Sequence, residues 1–304
     1  SIGRELMRKA DDDTLEPANV VAWAESRLQV NAMHSVPEVE LIEDVAKATI
    51  DELEEQRRRT DKPGVMSGLS SLDERIGPML AGELIILAAR PGCGKTTFAC
   101  QVAEHAATRG RQVFFVSLEM KNKETLKRRL AGMSGVDSRH IRSATITDEE
   151  MQTLRNCAAE YRGMTARLWS PARATIGQVR AVSKHVKSLH GCDLLIVDYI
   201  GRITSTKEES KQDLRIVVGE HVKSLKTLAR ELDCPCQLNR QADGSEPRLA
   251  NLRDSGDIEQ EADMVLMLNN ELSKIEGDCG EAAILVPKHR FGAVGKVTVF
   301  WKPR

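Results

Sequence analysis

The feature that most constrains the fold is a glycine-containing loop between a short apolar run and a helical pattern. The apolar run 84–88 leads into Ala89-Arg-Pro-Gly-Cys-Gly-Lys-Thr96, and helical periodicity continues over 97–108. This is the pattern G-x-x-x-x-G-K-[ST] with alanine in place of the first glycine. Gly92 and Gly94 let backbone N–H groups point inward, and the following helix adds its positive N-terminal end. The loop therefore predicts a phosphate-binding site at the end of a buried strand.

The residue types of the loop predict how a nucleotide is held. Lys95 would place a positive charge on the β- and γ-phosphates, and the hydroxyl of Thr96 would bind Mg²⁺. We expect ATP and Mg²⁺ as the cofactors. The predicted nucleotide-binding residues are Arg90, Gly92, Cys93, Gly94, Lys95, Thr96 and Thr97.

Two carboxylates follow other apolar runs. Asp198 ends the run 194–197, and a carboxylate at the end of a buried strand can hold Mg²⁺ through water. This pattern is weak alone and gains weight from the phosphate loop upstream. Glu119 follows the run 113–117, and strand ends in open α/β sheets line the ligand crevice. Glu119 could polarise the attacking water or be an ordinary solvated residue, and its position leaves both open.

Apolar runs and helical patterns alternate from Gly68 onward. Helical segments are predicted at 97–108, 122–132, 148–161, 176–190 and 213–232. Such alternation predicts an α/β domain with a mostly parallel sheet and helices on both faces. The segment 282–301 has β character interrupted by Gly292 and Gly295, which predicts a hairpin.

Two segments precede this α/β pattern. Residues 1–36 are predicted to be a polar helical segment and 37–61 a linker helix, leaving 62–304 as the main domain. The linker helix has an apolar face, formed by Ile42, Val45, Ala46, Ile50 and Leu53. Such a face packs on its own domain or on a partner surface, and the pattern leaves both open.

Composition narrows the class of protein. No apolar run approaches the ~20 residues that span a bilayer, and residues 1–8 lack the core of a signal peptide. Seven irregularly spaced cysteines do not suggest a disulfide framework, and Cys234-Pro-Cys236 lacks the spacing of a zinc site. We therefore expect a cytoplasmic protein without a membrane partner. The net charge of -1 means that a DNA site would need a local patch or several subunits in a ring.

Six motifs follow one another along the chain: the phosphate loop with its Ala-Arg-Pro, Ser117-Leu-Glu-Met120, Val197-Asp-Tyr199, Gln237-Leu-Asn-Arg240, the segment 252–263 and Lys288-His-Arg290. In this order they resemble the motifs of the DnaB family of bacterial and phage replicative helicases. The similarity runs over about residues 39–301. It implies a RecA-like P-loop NTPase core preceded by a helical linker.

The resemblance implies a role for each motif. Glu119 would be the catalytic base, Asp198 the Mg²⁺ carboxylate and Gln237 a contact to the γ-phosphate. Lys288 and Arg290 would act on the ATP of the neighbouring subunit, where an arginine finger neutralises charge on the transferred phosphoryl group. Without the resemblance, basic residues there would more simply protect a sheet edge.

The segment 252–263 resembles the loop that grips single-stranded DNA. The resemblance implies phosphate contacts without base readout from Arg253, Asp254, Ser255 and Gly256. Asp254 or Ser255 could equally cap a helix, and both roles can hold at once. An aromatic content of 3% leaves few side chains to stack on bases, which favours contact along the DNA backbone.

The implied function is that of an ATP-driven, ring-shaped replicative DNA helicase that translocates on single-stranded DNA and unwinds duplex DNA. The 5′ to 3′ polarity comes from the resemblance alone. Expected partners are single-stranded DNA, further copies of the chain in a hexameric ring and a helicase loader. Contact with primase is not predicted, because residues 1–36 resemble only a remnant of the family's primase-binding domain. A RecA-like recombinase and a nucleotide-gated assembly module for replication partners are the alternatives.

Two segments depart from the family's pattern. Phe291 stands where many relatives have asparagine, which could aim the finger hairpin differently. The run 232–236 before Gln237 is too short for the buried strand that the family places there, since strands run to ~5 residues or more. Either the strand is curtailed or residues are missing from the sequence.

Overall fold

The computed structural model describes residues 40–58, 63–205, 213–241, 260–269 and 280–301. The chain divides into two units, Ser1–Lys62 and Pro63–Arg304. In the first unit, helix α1 spans Ile42–Arg58, with acidic residues in its first turn and basic residues in its last, as the helix dipole favours. Its apolar residues Ile42, Val45, Ile50 and Leu53 are exposed to solvent.

The second unit is built on one mixed sheet. Its strands are β1 Leu84–Ala89, β2 Val113–Ser117, β3 Ala166–Trp169, β4 Leu194–Asp198, β5 Cys236–Gln241, β6 Met264–Asn269, β7 Gly280–His289 and β8 Gly295–Trp301. Their order across the sheet is β3-β2-β4-β5-β1-β6-β7-β8. The first six strands pair in parallel, and β7 and β8 add an antiparallel hairpin at one side. The predicted parallel sheet and terminal hairpin are confirmed.

Helices cover this sheet. They are α2 Ser70–Ile76, α3 Lys95–Thr108, α4 Asn122–Ser134, α5 Ser138–Ser143, α6 Asp148–Ala159, α7 Ile176–His190 and α8 Leu214–Glu231, with a 3₁₀ turn at Ile200–Arg202. Two starts are encoded locally, because Thr147 with Glu150 and Thr175 with Gln178 form complete capping boxes. In the described ranges, no helix is long and apolar enough to cross a membrane.

Helices pack on both faces of the sheet, as β1 shows. All six of its residues are buried, and successive side chains of a strand point to opposite faces. Leu84, Ile86 and Ala88 join the apolar cluster that includes Val222 of α8, whereas Ile85, Leu87 and Ala89 join the cluster that includes Phe98 of α3. This burial on two faces explains why the strand is a continuous apolar run.

Strand β5 forms although the apolar run before Gln237 is short. The strand begins at Cys236, and Gln237 lies inside it rather than after it. Residues of β5 pair with both β1 and β4, so the sheet requires a strand at this place. Because few residues precede the motif, the motif 237–240 itself supplies four of the six strand residues.

Candidate nucleotide site

The phosphate loop connects the end of β1 to the start of α3. Gly92 and Gly94 have φ angles of 81° and 84°, in the left-handed region that favours glycine. A Cβ on Gly92 would meet nothing within 4 Å, so its requirement is conformational rather than steric. The amide of Cys93 donates to the carbonyl of Arg90 at 3.2 Å, and Cys93 is 1% exposed. The loop is therefore a tight turn anchored in the core.

Lys95 lies partly buried at the N-terminus of α3. Burial lowers the pKa of Lys95, while the negative charges of Asp198 and Glu119 act in the opposite direction. Its ammonium nitrogen is 4.6 Å from the ring centre of Tyr199, the residue that follows Asp198. The ammonium group and the two predicted carboxylates therefore converge from three strand ends.

Thr96 and Asp198 form the predicted metal-binding pair. The Thr96 hydroxyl donates to Oδ2 of Asp198 at 2.6 Å, and Asp198 is 2% exposed. Oδ1 of Asp198 is buried and has no hydrogen-bond partner among the residues that the structure describes. A hydroxyl beside an unsatisfied carboxylate oxygen fits Mg²⁺, which takes oxygen ligands and usually keeps waters and substrate phosphates in its shell.

Glu119 lies two residues beyond β2, in a turn that is hydrogen-bonded to its surroundings. Ser117 is level with Asp198 in the sheet, and the amide of Leu118 donates to the carbonyl of Asp198 at 2.7 Å. The hydroxyl of Ser117 donates to the carbonyl of Met120 at 2.7 Å. Glu119 itself is exposed and lines a cavity of about 530 Å³. The backbone on either side of Glu119 is thus fixed close to Asp198, and its side chain is accessible to water.

The remaining predicted residues of the loop lie on the same side of the sheet, where β1, β2 and β4 end. Arg90 is partly buried, and its Nη2 has no hydrogen-bond partner in the described part of the chain. Thr97 is exposed in the first turn of α3. We call this side of the sheet the phosphate edge, and define it by Arg90, Gly92, Cys93, Gly94, Lys95, Thr96, Thr97, Glu119 and Asp198.

Gln237 lies inside β5 rather than in the turn at its end, so the structure does not bring it to the phosphate edge. In the register of β5 with β1, Gln237 is level with Ile85, whereas Ala89, next to the loop, is level with Gln241. Four residues of strand correspond to about 13 Å, whereas the register of β5 with β4 places Gln237 level with Ile196, two residues or about 7 Å before Asp198. Gln237 is 1% exposed, and its Nε2 donates to Oδ1 of Asn239 at 3.1 Å. The displacement arises because the motif lies within β5 and not after it.

Lys288 and Arg290 lie at the opposite edge of the same sheet. His289 pairs with Met264, which pairs in turn with Ile85 near the start of β1. Since Ala89 is four residues further along β1, Arg290 is separated from the phosphate edge by about 13 Å or more. The side chain of Arg290 is 54% exposed. These basic residues are therefore not placed to act on a nucleotide in their own loop.

Asp263 is a functional candidate that sequence reasoning missed, because it appeared only as the last residue of the segment 252–263. It is 2% exposed and accepts hydrogen bonds from the Leu84 amide at 2.8 Å, Lys226 Nζ at 2.6 Å and Arg290 Nη1 at 3.1 Å. The available signal was an aspartate placed directly before an apolar run. We call Asp263, Lys226 and Arg290 the finger cluster.

The predicted DNA-binding residues Arg253, Asp254, Ser255 and Gly256 lie outside the described residues. Their assignment therefore stays a prediction.

Comparisons with known proteins point to one family. The family model described as "DnaB-like helicase C terminal domain" matches residues 64–304. The chain is 33% identical to the replicative DNA helicase DnaB of Leifsonia xyli, over 96% of this chain and 65% of that protein. It is 29% identical to the DnaB of Treponema pallidum, over 97% of this chain and 68% of that protein. The chain thus spans about two-thirds of the length of these relatives.

Solved structures support the same fold. One solved ATPase domain superposes with a TM-score of 0.76 at 24% identity, covering 86% of this chain and 95% of that chain. A DnaB-like replicative helicase, described together with its interactions with primase, superposes with a TM-score of 0.72 at 22% identity, covering 98% and 72%. At these identities the likeness concerns the fold alone.

Proposed function

The chain belongs to the DnaB-like helicase C-terminal domain family, and on this premise we propose that it is the ATP-hydrolysing motor part of a ring-shaped replicative DNA helicase. The ring, which we expect to be a hexamer, would translocate on single-stranded DNA from 5′ to 3′ and unwind duplex DNA. The similarity to replicative DNA helicases supports helicase activity, and the division of the hydrolytic residues between two edges of one sheet supports the ring.

The phosphate edge provides the binding half of the reaction. Lys95 and the loop amides would hold the phosphates, and Thr96 with Asp198 would hold Mg²⁺, which neutralises phosphate charge when bound. Glu119 would orient the attacking water and accept its proton. The hydrogen bonds of its turn to Ser117 and Asp198 fix the backbone beside Glu119 near the metal-binding pair.

The single observation that carries the proposal is the separation of Lys288 and Arg290 from the phosphate edge. An arginine finger must touch the transferred phosphoryl group. The position of Arg290 near the opposite end of β1 supports action on the nucleotide of another copy. Hydrolysis would then depend on subunits arranged head to tail, and such contacts close into rings when the rotation permits.

DNA contact belongs to the proposal through the segment that includes Arg253, Asp254, Ser255 and Gly256. Contacts of these residues with the DNA backbone, repeated around a ring, would let a chain of net charge -1 bind single-stranded DNA. A helicase loader is a further proposed partner.

The proposal is tested by ATP hydrolysis with and without single-stranded DNA, measured beside the solution mass with nucleotide. We expect a closed oligomer whose hydrolysis is stimulated by single-stranded DNA. Hydrolysis at full rate by a monomer would contradict the shared site. Strand exchange by an open filament would favour a recombinase, and unstimulated hydrolysis by a ring would favour an assembly module.

A further inference from the structure

Asp263 is fixed to the start of β1 by two main-chain contacts. Its amide donates to the carbonyl of Leu84 at 3.0 Å, and its Oδ2 accepts from the amide of Leu84 at 2.8 Å. With 2% of its surface exposed, it belongs to the rigid core of the sheet. A side chain that donates a hydrogen bond to this carboxylate therefore has a fixed position relative to the sheet.

Arg290 is bonded to Asp263 at both of its ends. The Arg290 amide donates to the Asp263 carbonyl at 2.8 Å, and Nη1 of the guanidinium donates to Oδ1 at 3.1 Å. A long arginine side chain otherwise samples many rotamers, and ordering it costs conformational entropy. The finger is thus held in place before a neighbouring nucleotide arrives.

A second cation shares the carboxylate. Nζ of Lys226 lies 2.6 Å from Oδ2, and the Lys226 side chain is 18% exposed against 54% for Arg290. Lys226 also donates to the carbonyl of Gly82 at 2.8 Å. Because two cations share one carboxylate, the cluster has a net positive charge, and its more exposed cation is the guanidinium of Arg290.

Glu83 is the other carboxyl that interacts with this cluster. It is 6% exposed, and burial raises the pKa of Glu83, with the charge of Asp263 acting in the same direction. A raised pKa favours the neutral form of a carboxyl. The nearby negative charge of Asp263 thus disfavours a second negative charge at Glu83.

We propose that Asp263 is a positioning residue for the Arg290 finger, orienting its guanidinium toward the phosphate edge of the neighbouring subunit. This inference rests on the proposed function. Asp263 touches neither the nucleotide nor the reacting water; it acts through Arg290. Its contribution to hydrolysis is made in trans, as that of Arg290 is.

The first test is Asp263→Asn in the full chain, assayed as the oligomer with single-stranded DNA. An amide still accepts from Leu84 but holds the guanidinium only weakly, and small misplacements of a catalytic group are costly. We expect kcat for ATP to fall by at least about tenfold, with KM and nucleotide affinity little changed. An unchanged kcat overturns the proposal.

Asp263→Asn leaves Lys226 without its counter-charge and could destabilise the fold, so a second variant is needed as a control. The double variant Asp263→Asn, Lys226→Met removes both buried charges together, which proteins tolerate better than removal of one. We expect the same loss of kcat from this variant. Glu220→Gln, which breaks the exposed Lys223–Glu220 pair on the same helix, should keep the normal rate.

The deciding measurement mixes subunits. Asp263→Asn subunits have intact phosphate edges, whereas Glu119→Gln subunits have intact fingers. In mixed oligomers each kind supplies what the other lacks, so turnover should exceed the sum of the two separate preparations. Failure to complement, with nucleotide affinity retained, would mean that Asp263 does not act through the finger and overturns the proposal.

Mixtures of Arg290→Ala with Glu119→Gln subunits test the trans action of Arg290 separately from the role of Asp263. If this pair complements and the Asp263→Asn pair does not, the shared site stands and only the role of Asp263 fails. If neither pair complements, the trans finger fails, and the role of Asp263 fails with it.

Discussion

The two edges of the sheet contain the two halves of one proposed reaction, and they are built differently. At the phosphate edge, seven of the nine defining residues come from one continuous segment, Arg90 to Thr97. The finger cluster instead joins Lys226, Asp263 and Arg290, which come from α8, the start of β6 and the end of β7. A site built from one segment is visible in a sequence pattern, whereas a site built from three elements becomes visible only in the fold.

The central carboxylates of the two edges also differ in their hydrogen bonding. Asp198 and Asp263 are both 2% exposed, and each is the buried carboxylate around which its edge is arranged. Asp198 retains an oxygen without a partner among the described residues, as a metal ligand requires, whereas both oxygens of Asp263 accept hydrogen bonds from the protein. The two aspartates are equally buried, but Asp198 is free to bind a metal ion, whereas Asp263 holds the neighbouring side chain of Arg290.

The largest expected effect comes from the finger. Arg290→Ala should lower kcat by about 10³- to 10⁵-fold, because the guanidinium charge on the transferred phosphoryl group is lost. Nucleotide binding to the isolated subunit should remain, since the phosphate edge is untouched. Steady-state hydrolysis and equilibrium titration with a nucleotide measure the two quantities.

The control is Arg139→Ala, which removes another exposed arginine paired with an aspartate, Asp137, away from the sheet. It should hydrolyse ATP at the normal rate. Equal losses in both variants would show that a missing arginine, rather than a missing finger, lowers the activity.

The next effect tests the other half of the site. Glu119→Gln should lower kcat by about 10²- to 10⁴-fold, the usual contribution of a positioned general base, while nucleotide remains bound. Glu124→Gln changes another carboxylate that lines the same cavity and should leave kcat unchanged. Normal hydrolysis by Glu119→Gln would show that Glu119 is not the base.

A smaller effect is expected on DNA, which neither edge contacts in the proposal. Arg253→Ala should weaken binding of single-stranded DNA and make its salt dependence shallower by about 0.7 in the logarithmic slope, as loss of one phosphate contact requires. Binding measured over a series of salt concentrations gives both values. Unchanged affinity and slope would remove Arg253 from the DNA site.

The smallest effect on catalysis is expected at Gln237, which belongs to neither edge. Gln237→Leu should leave kcat within about threefold, far below the change of 10²-fold or more that loss of a catalytic group causes. It should reduce the free energy of unfolding by about 1–3 kcal/mol, because Asn239 loses its buried donor. Chemical denaturation and hydrolysis assays measure these effects. A large loss of kcat with normal stability would show that Gln237 takes part in hydrolysis.

Much of the fold follows from local patterns. The apolar runs at 84–88, 113–117 and 194–197 became β1, β2 and β4, and the predicted helices appear with ends shifted by one or two residues. Buried strands and capped helices are recognisable because the apolar period and the capping residues lie within a few positions of each other.

The phosphate loop could be predicted from the sequence, because a turn with glycines at φ near 80° requires particular residues at consecutive positions. Glu119 and Asp198 could be predicted because each follows an apolar run. Tertiary structure decided the place of Gln237 and the partner of Arg290. Pairing with β1 and β4 sets the register of β5, and the register decides which residue of a strand reaches an edge. The contact between Arg290 and Asp263 joins residues 27 positions apart, and folding of the sheet brings them to 3.1 Å.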